Sequence, residues 1–278
     1  MVGDAHLRGM TQLGGLTEPQ MRLLAFALIF GAMALWEFRE PWRASVQGRI
    51  VRWPGNLGIF AIDIVVARLL FPASAIGFAT YAQAQGLGLF NVLGLPVWLA
   101  GIAGFLLLDL AIYAQHVVFH HVPWLWRLHR MHHADTELDV TSGFRFHPVE
   151  IVLSVLIKGL VIVALGIPPG AVLAFEIVLN GSSLFNHANV RLPAPLERVL
   201  RWLIVTPGMH RVHHSVVIRE TNSNYGFNLP WWDRIFGTYR PEAAVGEAAM
   251  TIGLDEFRDP AEQRLDRLLT QPIRDERG

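Results

Sequence analysis

The stretch from His116 to His133, HVVFHHVPWLWRLHRMHH, is the part of the sequence from which the fold can be inferred. It contains six of the chain's twelve histidines, with the spacings His116-x-x-x-His120 and His129-x-x-His132-His133. Because residues three and four apart share one face of a helix, each spacing directs two or three imidazoles towards one point. The stretch therefore predicts a metal site on helices.

The second spacing recurs further along the chain as His210-x-x-His213-His214. The chain has no cysteine, so a transition metal must bind through nitrogen or oxygen. The zinc-protease motif HExxH is absent, and so is the Glu-x-x-His ligand pair of soluble di-iron helix bundles. Imidazole is a suitable ligand for iron, copper, zinc or nickel. The boxes contain eight histidines, which is more than the four ligands of one tetrahedral zinc ion. The three boxes thus indicate two metal ions of a type that spacing alone does not select.

Composition points to a membrane protein. Of the 278 residues, 52% are hydrophobic and 17% are charged, and the mean hydropathy is +0.36. A soluble domain usually has about 25% charged residues. The formal net charge is zero, which gives no indication of a nucleic-acid partner.

Apolar runs predict an all-α integral membrane protein with about four transmembrane helices. The first three runs cover residues 23–36, 57–76 and 93–113. Two further runs, 151–165 and 171–184, flank the turn GIPPG at 166–170 and predict a helical hairpin. If both arms of the hairpin cross, His187 and His210 return to the side of the first histidine cluster.

Arginines predict the orientation. The segment between the first two runs contains Arg39, Arg43, Arg49 and Arg52, and positive residues favour the cytoplasmic side. Counting spans then puts His116–His133 on that side as well. We therefore predict one membrane domain over residues 1–278 with a cytoplasmic helical cap, located in a bacterial inner membrane. Residues 241–278 are predicted as a cytoplasmic helical tail, with a charged helix over 255–269 that packs on the domain or touches headgroups.

Specific strings resemble a known family. DLAIYAQHVVFHHVPWLWRLHRMHHADTELDVTSGFRFHPVE, PGMHRVHHS and TNSNYGFNLPWWDRIFGTYR resemble the fatty acid hydroxylase / sterol desaturase superfamily over residues 109–240. The resemblance implies two irons at the cytoplasmic face, which use O2 to attack a C–H bond of a lipid. The lipid would enter from the bilayer and be hydroxylated or desaturated. Two electrons would come from an external ferredoxin or cytochrome b5-like donor, because the chain has no flavin fingerprint or cysteine cluster.

The resemblance also implies a ligand set. Val117 departs from the family pattern, in which Arg commonly follows the first histidine. His147 is either a tenth ligand or a partner of one, and His121 is either a ligand or, as we expect, a residue that contacts headgroups. The implied metal ligands are His116, His120, His129, His132, His133, His147, His187, His210, His213 and His214.

Three further residues are candidates for orienting the ligands. Metal-bound histidines usually donate their second N–H to a carboxylate or a carbonyl. Asp109 and Tyr113 precede His116 by seven and three residues, and Glu150 follows His147 by three. The alternative for Asp109 is a hydrogen bond between helices.

Two other classes of protein remain as alternatives. A histidine-based membrane metal-binding or transport protein without redox catalysis should have polar residues along several spans, whereas these spans consist mainly of Leu, Ala, Ile and Val. A membrane b-haem protein needs histidine pairs on facing transmembrane helices rather than HxxHH boxes. Fixed helical spacing of the boxes favours the oxygenase.

Overall fold

The computed structural model describes residues 12–13, 15–72 and 74–274, and the regular secondary structure of these residues is almost entirely helical. His6 lies outside the described residues. A two-residue β pair, β1 (Gln12–Leu13) with β2 (Leu16–Thr17), precedes the first helix. The helices are α1 (Glu18–Arg39), α2 (Arg49–Leu70), α3 (Ser74–Ala84), α4 (Leu89–Val92), α5 (Val97–His121), α6 (Pro123–His133), α7 (Pro148–Leu165), α8 (Pro169–His187), α9 (Ala194–Leu200), α10 (Pro207–His213), α11 (Ile218–Thr221), α12 (Trp231–Ile235) and α13 (Leu265–Thr270).

The protein is an integral membrane protein with four helical segments that are long and apolar enough to cross a bilayer. They are Glu18–Arg39, Arg49–Val92, Val97–His121 and Pro148–Leu165. The second segment contains α2, α3 and α4. Helix α8, the second arm of the predicted hairpin, is not among the four.

The predicted start of the second span was wrong. Helix α2 begins at Arg49 and ends at Leu70, whereas the apolar run covers residues 57–76. The early start places Arg52 inside the helix, where it is buried against Asp135 and Asp139. Ion pairing thus allows one charged side chain to be buried near the start of the helix, and hydropathy alone does not detect such pairing.

The helical hairpin is present as α7 and α8. Gly166 ends α7 in the left-handed conformation, with φ of +70°, and Pro169 begins α8. The hairpin packs closely on α5, since a Cβ atom on Gly104 would lie 2.6 Å from Ile167. The buried apolar core between α3, α5, α7 and α8 contains Leu108, Ile112, Ile162, Val172 and Phe175, among others.

The histidine-bearing elements lie at one end of these helices. Helix α5 continues from the membrane core into His116 and His120, and Pro123 begins α6 directly after it. A 3₁₀ turn, Val140–Phe144, packs against α8 and leads to α7. Glu37, near the end of α1, accepts hydrogen bonds from the backbone N–H groups of Val140 and Asn189, both 2.7 Å long. These contacts fix the cap to the spans.

The prediction of one charged surface helix over residues 255–269 was wrong. Asp259 caps a 3₁₀ turn, Pro260–Gln263, and the extended Arg264 separates it from α13. Leu268 and Gln263 are fully buried, and Leu268 packs with Ile59 of α2. The segment therefore packs on the domain, which is one of the two positions allowed by its apolar residues.

Candidate metal centre

Nine histidines converge at the cap end of the helices, in two adjacent groups. Within each group the candidate ligand atoms lie within 4.8 Å of one another. All nine side chains are buried, the most exposed being His120 at 8%. The five-histidine group is His116, His120, His129, His133 and His213, and the four-histidine group is His132, His187, His210 and His214.

Each group draws on several elements. Helices α5, α6 and α10 supply the five-histidine group, and α6, α8 and the end of α10 supply the four-histidine group. Helix α6 divides its HxxHH box between the groups, because His132 points to one and His129 and His133 to the other. The second and third boxes therefore contribute histidines to both groups, whereas the first box contributes only to the five-histidine group. The helical hairpin brings His187 into the four-histidine group.

The ring nitrogens within each group have the spacing of ligands that share a metal. Two nitrogens bound to one metal at about 2.1 Å, with an angle between about 90° and 110°, lie about 3.0–3.4 Å apart. The observed Nε2–Nε2 distances are 3.0 Å for His116–His129 and His213–His116, and 2.9, 3.1 and 3.2 Å for His210–His187, His187–His132 and His214–His210.

The second nitrogen of most of these rings donates to a fixed acceptor. The backbone oxygens of Tyr225, Ser223, Ser183 and Arg145 accept from the Nδ1 atoms of His116, His213, His187 and His132, at 2.7, 2.7, 2.7 and 3.1 Å. A carbonyl oxygen only accepts, so the proton is on Nδ1 and the Nε2 lone pair points inward. Inward lone pairs 3 Å apart repel one another unless a cation lies between them. The donor set therefore fits bound metal.

Burial keeps these rings neutral. In α6, burial lowers the pKa of His129 to about 3. Burial also lowers the pKa of His132 and His133 well below the ordinary value, and neighbouring histidines lower it further. The pKa values of His210, His213 and His214 are lowered for the same two reasons. Neutral imidazole is the form that binds metal.

His147 and His121 lie outside both groups. His147 is the N-cap of α7, where its Nδ1 accepts from the backbone N–H of Val149 and its Nε2 lies 3.3 Å from the backbone oxygen of Leu269. The exposed His121 donates from Nδ1 to the backbone oxygen of Val117. The structure thus brings nine of the ten sequence-derived candidates together and places His147 at a helix end.

The three residues proposed to orient ligands lie in different surroundings. Glu150 accepts from Nδ1 of His129 at 2.7 Å, so it contacts a histidine of the five-histidine group. Asp109 accepts from Nε1 of Trp232 at 2.8 Å and has no hydrogen bond to a histidine. The hydroxyl of Tyr113 lies 2.9 Å from that of Thr238. Asp109 and Tyr113 therefore connect α5 to the loop that follows the last histidine box.

Sequence reasoning missed several residues of the site. Asn222 lies with its Oδ1 3.2 Å from Nδ1 of His120. The backbone oxygens that accept from the histidines cannot be predicted from residue type, because every residue has a backbone carbonyl. Phe146 and Phe227, whose rings contact the histidines, stand beside recognisable motifs, RFHP and YGFN. Their position next to those motifs was the available signal.

These features define a class: an all-helical integral membrane protein whose buried histidine clusters can hold two metal ions. Comparison with known proteins identifies the family. The fatty acid hydroxylase model matches residues 101–238, and the chain belongs to the fatty acid hydroxylase family.

Relatives of known activity match the same part of the chain. The ornithine lipid hydroxylase OlsE of Rhizobium tropici is 32% identical over 145 residues, which are 52% of this chain and 43% of that protein. Human alkylglycerol monooxygenase is 32% identical over 159 residues, 56% of this chain and 34% of that protein. Rat cholesterol 25-hydroxylase is 26% identical over 160 residues, 57% of this chain and 52% of that protein. The matched region thus spans about half or less of each relative, and no solved structure matches the chain.

Proposed function

We propose that this protein is a membrane-bound di-iron oxygenase that uses O2 and two external electrons to oxidise a C–H bond of a lipid. In hydroxylation, the substrate C–H, O2, two electrons and two protons give an alcohol and water. In desaturation, the same oxidant and electrons remove two hydrogens and give an alkene and two waters. The lipid is a sterol, a fatty acyl chain or a related molecule.

The observation that carries the proposal is the pairing of the histidine nitrogens. Five pairs of histidine Nε2 atoms lie 2.9–3.2 Å apart, in two groups. Four backbone oxygens accept hydrogen bonds from Nδ1 atoms on the outer side of the rings. Imidazole suits several metals, and the relatives named as hydroxylases and monooxygenases favour iron among them. Bound iron would supply the activation of O2, which side chains alone cannot perform.

The chain's own residues hold the ligands and exclude water. We assign the nine converging histidines as ligands and leave His147 out of the set. Glu150 keeps the ring of His129 oriented and increases its basicity, as carboxylates do for metal-bound histidines. Burial of the histidines keeps bulk water from the reacting atoms.

The same proposal includes location and partners. The arginines between the first two spans favour a cytoplasmic cap, and we place the protein in a bacterial inner membrane. A ferredoxin or a cytochrome b5-like protein would dock on the cap and supply electrons. Residues 109–240 would form the catalytic region and residues 241–278 a cytoplasmic tail.

A metal-binding or transport protein without redox catalysis is the alternative. Transport needs polar groups along a path through the spans. The core between α3, α5, α7 and α8 is instead apolar, and both histidine groups lie at one end of the helices. These observations favour the oxygenase.

The experiment is a comparison of membrane lipids from cells with and without the protein, under O2 and a reductant. A lipid that gains one oxygen atom from 18O2 indicates a hydroxylase, and a lipid that loses two hydrogens indicates a desaturase. His213→Ala, which removes one ligand from the five-histidine group, should abolish either product. Unchanged lipids together with metal flux into vesicles would support the transporter instead.

A further inference from the structure

Two phenylalanine rings lie against the histidine groups. The ring of Phe146 stacks on His132, with centroids 4.4 Å apart and an interplanar angle of 13°. The same ring lies 6.1 Å from His129. Since His132 and His129 belong to different groups, Phe146 contacts both.

Phe227 has the same relationship to the two groups from another part of the chain. Its ring lies 5.3 Å from His116 and 6.2 Å from His210. These two histidines again belong to different groups. The backbone of Phe227 is fixed, because its oxygen accepts a 2.7 Å hydrogen bond from Nδ2 of Asn186 in α8.

The other aromatic rings around the site contact one group. Trp126 lies 5.0 Å from His120 and 5.4 Å from His133, both in the five-histidine group. Phe119 and Tyr225 contact histidines of that same group, and each is at most 2% exposed. Among the aromatic side chains of the described residues, the ring contacts of Phe146 and Phe227 alone reach both groups.

The two rings also lie close to each other, and one of them contacts the apolar core of the spans. Their centroids are 6.4 Å apart. Phe227 packs against the buried membrane core that contains Leu108, Ile112 and Phe175. Both phenylalanines are partly exposed, whereas the histidines behind them are buried. Each ring therefore combines contact with both histidine groups and accessible apolar surface, and Phe227 connects this pair to the apolar core of the spans.

We propose that Phe146 and Phe227 form the binding site for the hydrocarbon segment that is oxidised, and that they determine which carbon faces the two metals. This inference rests on the proposed oxygenase function. The rings offer no hydrogen-bond donor or acceptor, so they bind a saturated hydrocarbon segment and reject a polar headgroup. Because each ring contacts both histidine groups, the two rings hold one methylene of the substrate between the groups. The same rings keep the neighbouring carbons of the chain away from the metals.

A photoreactive lipid tests binding without catalysis. The full-length protein, loaded with iron and kept free of O2, is reconstituted in vesicles of phosphatidylethanolamine and phosphatidylglycerol. A fatty acid with a diazirine in the middle of its chain is added and irradiated, and labelled peptides are mapped by mass spectrometry. We expect labels on the peptides that contain Phe146 and Phe227. Labelling confined to the lipid-facing surfaces of the spans would overturn the inference.

Matched variants test the control of position. Phe146→Leu and Phe227→Leu should retain the wild-type metal content and change the ratio of positional isomers in the product by about tenfold, the lower range for one methylene in an apolar pocket. The control Trp126→Leu alters a ring that contacts one group and should leave the isomer ratio unchanged.

The outcomes separate the two proposals. If the wild type oxidises a lipid but both leucine variants give the same isomers, or lose activity only in proportion to lost metal, the inference fails and the proposed function stands. If iron-loaded wild type oxidises no lipid, the proposed function fails, whatever the labelling result.

Discussion

The Nδ1 atom of His129 lies 2.7 Å from Oε1 of Glu150, and both side chains are buried. The spacing in the sequence relates Glu150 to His147, three residues earlier, yet the structure pairs it with a histidine from another helix. A carboxylate on the outer nitrogen of a metal-binding histidine fixes the ring and raises its basicity. This contact links the start of α7 to the five-histidine group.

Glu150→Ala should lower metal affinity about 10–100-fold, because His129 loses the acceptor that orients its ring. The measurement is a metal titration of the chelated protein in detergent. Glu176→Ala is the matched control, since Glu176 binds Lys158 and Arg22 and contacts no histidine of either group. Equal affinities of wild type and Glu150→Ala would contradict this role.

Asp109→Ala should destabilise the protein while leaving its metal content unchanged. The substitution removes the acceptor of the Trp232 indole N–H and the Leu229 backbone N–H, and an unsatisfied buried group costs about 1–3 kcal/mol. Asp109→Asn, which retains a side-chain oxygen, is the milder control. The measurements are thermal denaturation and metal content. Loss of metal at unchanged thermal stability would show that Asp109 acts on the ligands after all.

Arg52→Met should destabilise the protein by about 3–5 kcal/mol, because it removes the hydrogen-bonded counter-charge of two buried carboxylates and leaves Asp135 with Arg145 at 3.6 Å as its remaining cation. Burial opposes ionisation of Asp135, but Arg52 and Arg145 hold its pKa at about 2. Arg52 contacts both oxygens of Asp135 at 2.7 Å. Thermal denaturation checks the effect, and Arg264→Met, at an exposed ion pair, provides the control. Similar melting temperatures for the two variants would contradict the prediction.

The metal-free protein should lose stability as the pH falls below about 6.5, the ordinary pKa of histidine. The pKa of His129 is about 3 in the folded state, so between these values the unfolded chain binds a proton that the folded chain does not. Stability then falls by up to about 1.4 kcal/mol per pH unit for each such histidine. Thermal denaturation of the chelated protein at pH 7.5 and 5.5 measures this dependence. A melting temperature that is constant or rises on acidification would contradict it.

Much of the architecture could be predicted from sequence, because its signals are local. The apolar runs predict the spans, GIPPG predicts the hairpin turn, and helical spacing predicts that each histidine box points to one place. Membership of the fatty acid hydroxylase family follows from the strings around the boxes and is confirmed by the match over residues 101–238.

The remaining features depend on contacts between distant residues. Arg52 binds Asp135 across 83 positions, and hydropathy does not reveal this pairing at the start of α2. Glu150 and Asn222 contact histidines that lie 21 and 102 positions away in the chain. The charged C-terminal segment, which has a helical pattern, forms a 3₁₀ turn that begins at Pro260 and the short helix α13, whose Leu268 packs on α2. Local pattern does not contain these tertiary contacts.

Metal analysis of the purified protein tests the central proposal most directly. We predict about two irons per chain in the wild type and in His147→Ala, since His147 lies outside both groups. His132→Ala and His213→Ala, which remove ligands from the four- and five-histidine groups, should each lose bound iron. A wild-type protein that contains no metal and still oxidises lipid, or iron that persists in both ligand variants, would contradict the account.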